Sequence, residues 1–150
     1  MGKRRSAKSL RSVILDASIL IKIVLPEKSE ENIQEALLLF KQLEEGKTTV
    51  TLPSFWSYEV GNTLVRKLDV ELFVEKFDYL LSQPFEIYSF SKEENLTIGK
   101  FAKFYNVSFY DASYHLLARF IDTIFITADR KYFSQFKEDK HITLIQNLKN

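Results

Sequence analysis

The chain has 150 residues, no cysteine, two histidines and a formal net charge of +1, and its length suits a single domain with one core. The absence of cysteine excludes disulfides, thiolate metal ligands and cysteine nucleophiles, and two histidines make no zinc site of familiar spacing. The nearly balanced charge provides no global attraction to nucleic acid, so any such contact must come from local patches.

The first ten residues, which carry four basic side chains, are predicted to be a flexible basic tail before a single domain over residues 11–150. The apolar stretch after this tail superficially resembles a signal peptide, but Asp16 and Lys22 interrupt it and no small-residue cleavage site follows before Pro26. The same charges argue against a transmembrane helix. Together with the lack of cysteine, this predicts a cytoplasmic protein without membrane association.

Short apolar runs alternate with amphipathic helices along the predicted domain. Residues 12–15 are short, branched and not alternating, which predicts a buried parallel strand, and a short helix is predicted over residues 17–25. Ser29 is predicted to cap a second helix. The apolar stripe of that helix is predicted at Ile33, Ala36, Leu37, Phe40 and Leu43, with Gly46 after its end.

The middle of the chain continues this alternation. The pattern predicts a strand, two helices and a second strand, over residues 48–52, 57–68, 70–81 and 85–90. Ser91 and Glu94 form a capping-box sequence. The helix that follows should place one stripe at Ile98, Phe101, Ala102 and Tyr105.

A last helix near Asp111 and strands over residues 123–127 and 141–145 bring the predicted strands to five. Strands that alternate with helices indicate an α/β fold in which both faces of the sheet are covered. The sequence therefore predicts a three-layer α/β/α sandwich with a mainly parallel five-stranded sheet.

Four acidic residues lie at or near the boundaries of these elements. Asp16 ends the first strand, and Asp129 follows the strand of residues 123–127 after one intervening alanine. Asp111 is predicted to cap the start of its helix, and Glu59 lies on the helix of residues 57–68. Because ligands bind beyond the carboxyl ends of parallel strands, these acids are predicted to converge at that edge of the sheet.

Clustered carboxylates indicate a divalent cation, since Mg²⁺ and Mn²⁺ prefer oxygen ligands and the acids would otherwise repel one another. Such an ion activates water and neutralises charge on a phosphate, so the chemistry that fits is metal-assisted phosphodiester hydrolysis without a protein nucleophile. Taken singly, Asp111 could be only a helix cap, Asp129 a turn residue and Glu59 a solvated helical acid. Their combined positions favour the metal site.

Four blocks of sequence resemble the PIN-domain family: VILDAS at 13–18, YEVGN at 58–62, YDASY at 110–114 and ITADR at 126–130. Within that family the chain is most similar to VapC-type toxins of toxin–antitoxin pairs, and the resemblance covers residues 11–146. It implies an endoribonuclease dependent on Mg²⁺ or Mn²⁺, a small antitoxin partner and a homodimer. Gly61 is a mild departure, because glycine within a helix costs about 1 kcal/mol relative to alanine.

The resemblance assigns the four acids as the catalytic and metal-binding set. Asp16 and Asp129 would be direct ligands, while Asp111 and Glu59 would complete the ligand shell or orient the attacking water. The residues expected to orient the carboxylates by hydrogen bonds are Ser18, Asn62 and Thr127.

Substrate contacts are predicted from basic and aromatic residues near the acids. Arg130 and Lys131 adjoin Asp129, and further basic candidates are Arg66, Lys67 and Arg119. Tyr110 and Tyr114 flank Asp111 and could stack an RNA base, whereas His115 is expected to be structural or on the surface. Two alternatives remain open: a metal-dependent phosphoesterase acting on DNA or another phosphate ester, and a non-catalytic PIN-like RNA-binding module.

Overall fold

The computed structural model describes residues 5–6, 11–25 and 33–149. In chain order, the strands are β1 (Arg5–Ser6), β2 (Ser12–Leu15), β3 (Thr49–Pro53), β4 (Glu86–Tyr88), β5 (Ile124–Thr127), β6 (Ile142–Leu144) and β7 (Leu148–Lys149). The helices are α1 (Ala17–Val24), α2 (Ile33–Glu44), α3 (Trp56–Lys67), α4 (Val70–Leu81), α5 (Lys92–Tyr105), α6 (Phe109–Phe120) and α7 (Arg130–Gln135). A short 3₁₀ helix, Ile145–Asn147, precedes β7.

Five strands form one parallel sheet in the order β4-β3-β2-β5-β6. The central strand β2 is buried along residues 13–15, and every residue of β5 is buried, which accounts for their unbroken apolar sequences. Helix α6 packs across β2, β3 and β5. The predicted three-layer fold with a parallel five-stranded sheet is confirmed.

The start of α6 differs from the prediction. Asp111 does not cap this helix, because the helix begins at Phe109 and Ser108 is the N-cap residue. The Ser108 hydroxyl accepts a hydrogen bond from the Asp111 backbone N–H at 3.0 Å. Asp111 therefore lies in the first turn, where the helix dipole still favours a carboxylate.

The buried stripe of α2 also differs from the prediction. Leu37 is 44% exposed, whereas Leu39 is fully buried. The buried apolar positions start at Ala36 and follow the spacing i, i+3, i+4 and i+7, which places Leu37 outside the stripe. The predicted cap, Ser29, lies outside the described residues.

Helices α4 and α5 agree closely with the prediction. The capping box of α5 is present, with reciprocal hydrogen bonds between Ser91 and Glu94. Of its predicted stripe, Ile98 and Ala102 are buried, while Tyr105 at the last turn is 40% exposed. Helix α4 packs on α3 at Gly61, where an added Cβ atom would lie 3.1 Å from Cζ of Phe77. This close approach accounts for a glycine within α3.

The two shortest strands lie at opposite ends of the sequence. Arg5–Ser6 pairs in parallel with Leu148–Lys149, while the other residues of the predicted basic tail, 1–4 and 7–10, lie outside the described residues. Within the described parts of the chain, none of the helices has the length and apolar character needed to cross a bilayer.

Candidate active site

The acidic site lies where the chain reverses its direction of travel across the sheet. From β2 the chain moves outward through β3 and β4, and it then returns to place β5 on the other side of β2. In open parallel sheets the crevice beyond the carboxyl ends of such neighbouring strands is the usual place for a ligand. Asp16 directly follows β2 and Asp129 lies two residues beyond β5.

Asp16 is held by hydrogen bonds to both carboxylate oxygens. Oδ1 accepts from the backbone N–H of Ser18 at 3.3 Å, which makes Asp16 the N-cap of α1. Oδ2 accepts from the hydroxyl of Thr127 at 2.9 Å. The side chain is almost buried, with 8% of the residue exposed, so its orientation is set by the protein.

Thr127 connects the two acids at the strand ends. Its fully buried hydroxyl donates to Asp16 and accepts from the backbone N–H of Asp129 at 3.0 Å. The Asp129 carboxylate in turn accepts from the backbone N–H of Tyr132 at 2.9 Å and caps α7. One hydroxyl therefore sets the position of Asp129 relative to the carboxylate of Asp16.

Helices bring the other two acids to the same edge. Glu59 lies in the first turn of α3, the helix that follows β3, and Asp111 lies in the first turn of α6. Both side chains are half-buried. A helix N-terminus favours negative charge, which partly offsets the cost of placing these carboxylates here.

The four acids lie within electrostatic reach of one another. Burial raises the pKa of Asp16 to about 6; the Thr127 hydrogen bond partly offsets this effect, and the charge of Asp111 adds a smaller increase. Burial, together with the charges of Asp16 and Asp111, raises the pKa of Glu59 to about 7. The pKa of Asp111 is raised by burial and, less strongly, by Asp129. Burial and mutual repulsion thus oppose ionisation of Asp16, Glu59 and Asp111.

The donor chemistry of the site fits a divalent cation. Carboxylate oxygens are the ligands that Mg²⁺ and Mn²⁺ prefer, and a bound cation would offset the burial and the repulsion that raise these pKa values. Within residues 11–25 and 33–149, no three His, Cys, Asp or Glu side chains lie close enough together to hold one metal ion as they stand.

The candidates for substrate contact divide into exposed and buried residues. Arg66, Arg130 and Lys131 are exposed, and Tyr110 is 52% exposed with its ring edge-on to Phe55 at 5.1 Å. Tyr114, by contrast, is only 1% exposed. The prediction that Tyr114 stacks an RNA base is therefore wrong.

Asn62 makes no hydrogen bond to the acids from its side chain in the described structure. Its side chain is exposed. Its backbone carbonyl accepts a hydrogen bond from Nε of Arg66 at 3.2 Å.

A buried network behind α6 supports the site. His115 is fully buried, with Nε2 at 2.8 Å from Oδ2 of Asp139 and Nδ1 at 2.8 Å from the hydroxyl of Tyr132. Burial lowers the pKa of His115 to about 4, so the ring is neutral at pH 7. Since a carboxylate only accepts, Nε2–H donates to Asp139 and the Tyr132 hydroxyl donates to Nδ1. The network holds α7, and with it Asp129, against α6; sequence reasoning missed it because its partners are distant in the chain.

Replacing Thr127 with valine is expected to lower the affinity of the acidic site for Mn²⁺ about 10-fold to 100-fold, as loss of a group that orients a ligand typically does. Valine keeps the volume and removes the hydroxyl that joins Asp16 to Asp129. Mn²⁺ titration by calorimetry measures the effect. Thr127→Ser restores the hydroxyl and should recover most of the affinity; equal affinities in all three proteins would show that the bond has no such role.

Comparison with known proteins places this arrangement in a family. A family model described as PIN domain matches residues 13–139, while no curated protein matches the sequence. Among solved structures, that of PAE2754 from Pyrobaculum aerophilum is similar, with a TM-score of 0.64, 19% identity and coverage of 93% of both chains.

Two further solved structures share this fold. One is VapC20 from Mycobacterium tuberculosis, described as a sarcin–ricin loop cleaving toxin, with a TM-score of 0.61, 15% identity and coverage of 82% of this chain and 94% of that chain. The other is VapBC2 from Rickettsia felis, bound to a DNA fragment from its promoter. Its TM-score is 0.63 at 17% identity, with coverage of 89% of this chain and 96% of that chain. At these identities the similarity establishes the fold.

Proposed function

Because the chain belongs to the PIN-domain family, we propose that it is an endoribonuclease dependent on Mg²⁺ or Mn²⁺ and the toxin of a toxin–antitoxin pair. The observation that carries the proposal is the acidic edge of the sheet. Four carboxylates lie near that edge, and burial together with repulsion between them raises the pKa of Asp16 to about 6 and that of Glu59 to about 7. A cation is the partner that such a site needs in order to be fully ionised.

In the proposed mechanism Asp16 and Asp129 would hold the ion directly, and Asp111 and Glu59 would complete its shell or orient the attacking water. A divalent ion bound there supplies charge neutralisation for the scissile phosphate and lowers the pKa of water. Thr127 fixes the Asp16 carboxylate by donating to Oδ2. No protein side chain acts as a nucleophile in this scheme.

Ser18 contacts an acid in the structure through its backbone, whereas Asn62 would contact one only after its side chain moves. The Ser18 N–H donates to Oδ1 of Asp16 and so holds the second oxygen of that carboxylate. The Asn62 amide would reach the Glu59 carboxylate by a side-chain rotation, because the two residues lie three positions apart on α3.

RNA is the proposed substrate, and exposed residues around the acids are its proposed contacts. Arg130 and Lys131 begin α7 directly after Asp129, and Arg66 lies in the last turn of α3. Cationic side chains in these positions would contact phosphates, and the exposed ring of Tyr110 would stack a base. That VapC20 is described as a toxin that cleaves the sarcin–ricin loop supports an RNA substrate for this fold.

A small antitoxin and a homodimer are the proposed partners, in the cytoplasm. Similar folds occur in VapBC2 from Rickettsia felis and in a toxin–antitoxin complex from Klebsiella pneumoniae. The chain also exposes apolar side chains that a partner would cover. On α3, α4 and α5 the most exposed of these are Tyr58, Val65, Val70, Val74, Leu96 and Phe104.

The proposal is tested by incubating purified protein with end-labelled structured RNAs, and with DNA of matched sequence, in Mg²⁺, Mn²⁺ or EDTA. We expect internal cuts in RNA that require the metal. Cutting of DNA in preference to RNA would favour the other phosphoesterase function, and cuts that persist in EDTA would overturn the metal dependence. RNA binding without cleavage of any substrate would favour a binding module.

Mn²⁺ affinity is expected to rise with pH between about pH 5 and pH 8, because protons and the cation compete for the same carboxylates. The raised pKa values of Asp16, about 6, and Glu59, about 7, place this competition in that window. Calorimetric titration at several pH values measures it. An affinity that does not change over the window would contradict binding at these two residues.

A further inference from the structure

The hydroxyl of Tyr114 is a buried polar group that lacks a partner. The residue is 1% exposed, and its hydroxyl makes no hydrogen bond within the described structure. A buried hydroxyl without a partner destabilises the folded state, so most proteins avoid one. The helix stripe could have carried phenylalanine here at no loss of packing.

The ring of Tyr114 is held in a fixed orientation. It stacks on Phe125 of β5, with ring centroids 6.1 Å apart and planes 22° apart. Its edge contact with Phe55 has a centroid distance of 5.9 Å and an interplanar angle of 89°. Contacts with two rings at nearly perpendicular angles leave the aromatic side chain little freedom to reorient.

This fixed ring directs its hydroxyl into the acidic site. Tyr114 lies three residues after Asp111 on α6, so the two side chains share one face of the helix. After burial, the charges of Glu59 and Asp16 contribute most to holding the pKa of Tyr114 well above its usual value. The hydroxyl is near enough to Glu59 to lower the pKa of that carboxyl slightly. It is thus a neutral donor that faces a carboxylate acceptor.

We propose that Tyr114 is a positioning residue of the acidic site, whose hydroxyl donates a hydrogen bond to the Glu59 carboxylate when a divalent ion is bound. This inference rests on the proposed function. The bond would link α6 to α3 and fix which way the Glu59 carboxylate faces, as groups behind metal ligands commonly do. It would also give the buried hydroxyl a hydrogen-bond partner.

The test compares Tyr114→Phe with Tyr79→Phe by calorimetric titration of Mn²⁺ without RNA. Tyr79 is a matched control, because its hydroxyl donates to Glu44 at 2.8 Å, between α4 and α2. We expect Mn²⁺ affinity to fall about 10-fold in Tyr114→Phe and to stay unchanged in Tyr79→Phe. In EDTA, Tyr114→Phe should melt no lower than the wild type, since phenylalanine keeps the ring packing and removes an unpaired hydroxyl.

A second comparison separates positioning from packing. In a Glu59→Gln background, Tyr114→Phe should weaken Mn²⁺ binding by much less than it does in the wild type, because the two residues act through one bond. Equal Mn²⁺ affinity in Tyr114→Phe and wild type would overturn the positioning role and leave the nuclease proposal standing. Equal weakening in both backgrounds would also overturn it. Absence of Mn²⁺ binding by the wild type would overturn the metal site itself, and with it this role.

Discussion

Replacing Asp16 with asparagine is expected to abolish RNA cleavage, with a loss of about 1,000-fold or more in rate, while the fold stays intact. Asparagine has nearly the same shape and its amide oxygen still accepts the hydrogen bond from Ser18 that caps α1. It lacks the negative charge that binds the cation. Loss of a direct ligand removes several kcal/mol of transition-state stabilisation, and each 1.36 kcal/mol is about a factor of ten in rate.

The same substitution should stabilise the metal-free protein at high pH. The pKa of Asp16 is raised from 3.8 to about 6 in the folded state, so the folded protein binds this proton more tightly than the unfolded chain. The ionised carboxylate therefore lowers the free energy of unfolding as pH rises through this window, and the full penalty is present above about pH 6. In EDTA, Asp16→Asn should melt higher than the wild type at pH 8, and this gain should disappear below about pH 4.

Asp69→Asn provides the control for both measurements. Asp69 is also a helix cap, accepting a hydrogen bond from the Leu72 backbone N–H at 2.9 Å, but it lies on the surface at the start of α4. Asparagine is an equally good cap. This variant should keep the wild-type cleavage rate. A normal rate in Asp16→Asn, or an equal loss in Asp69→Asn, would reject the assignment of Asp16.

Replacing Asp139 with alanine is expected to lower the free energy of unfolding by about 3 kcal/mol at pH 7. Its carboxylate accepts from Nε2 of His115 and Nε of Arg119 at 2.8 Å each, and from the backbone N–H of His141 at 2.9 Å. The His115 ring is fully buried, so alanine would leave its N–H without a partner. Urea unfolding at pH 7 measures the change.

The loss in Asp139→Ala should depend on pH. Burial raises the pKa of Asp139, but hydrogen bonds from the His141 backbone, Arg119 and His115 outweigh it and hold the pKa well below its usual value. The stability that this carboxylate contributes is therefore complete above its unfolded pKa, about 4, and is lost as pH falls towards the folded value. The difference in free energy of unfolding between Asp139→Ala and the wild type should therefore be smaller at pH 3 than at pH 7.

An exposed neighbour serves as the control for Asp139. Asp122 also pairs with His141, at 3.0 Å, but 85% of its side chain is exposed. Its backbone has a φ of 51°, which asparagine adopts readily. Asp122→Asn should change the free energy of unfolding by less than about 0.5 kcal/mol. If Asp122→Asn lowered the free energy of unfolding as much as Asp139→Ala, the exposed Asp122–His141 pair would be the source of the stability.

The sheet could be predicted from sequence because its inner strands are short, apolar and bounded by polar residues. The prediction of β2 matched the structure, and that of β5 began one residue early. The positions of Asp16 and Asp129 could be predicted from these strands, because parallel neighbours have their carboxyl ends at the same edge of the sheet. The start of α6 was harder to predict, because Ser108 offers a competing cap and the first helical residues, Phe109 and Tyr110, are exposed aromatics that hide the helix period.

Details of the site depend on contacts that a local pattern does not contain. The Thr127 hydroxyl reaches Asp16 because β5 pairs with β2 in the register that sets Ile126 opposite Leu15. The resemblance to the family predicted that the Thr127 hydroxyl orients a carboxylate, but it did not show which groups the hydroxyl contacts. Burial of Tyr114 follows from α6 crossing three strands. Its spacing of three residues from Asp111 was the signal that it shares the buried face of that helix.

The central position of β2 decides when the site is completed during synthesis. One neighbour of β2, the strand β3, follows it soon in the chain, but the other, β5, is among the last elements to be made. Thr127 is 111 residues from Asp16. A nascent chain that ends before β5 therefore has an unpaired edge on its most apolar strand and only part of the acidic set. Translation must reach the final strands before the carboxylates can act together, so incomplete chains are exposed to aggregation and proteolysis before they acquire activity.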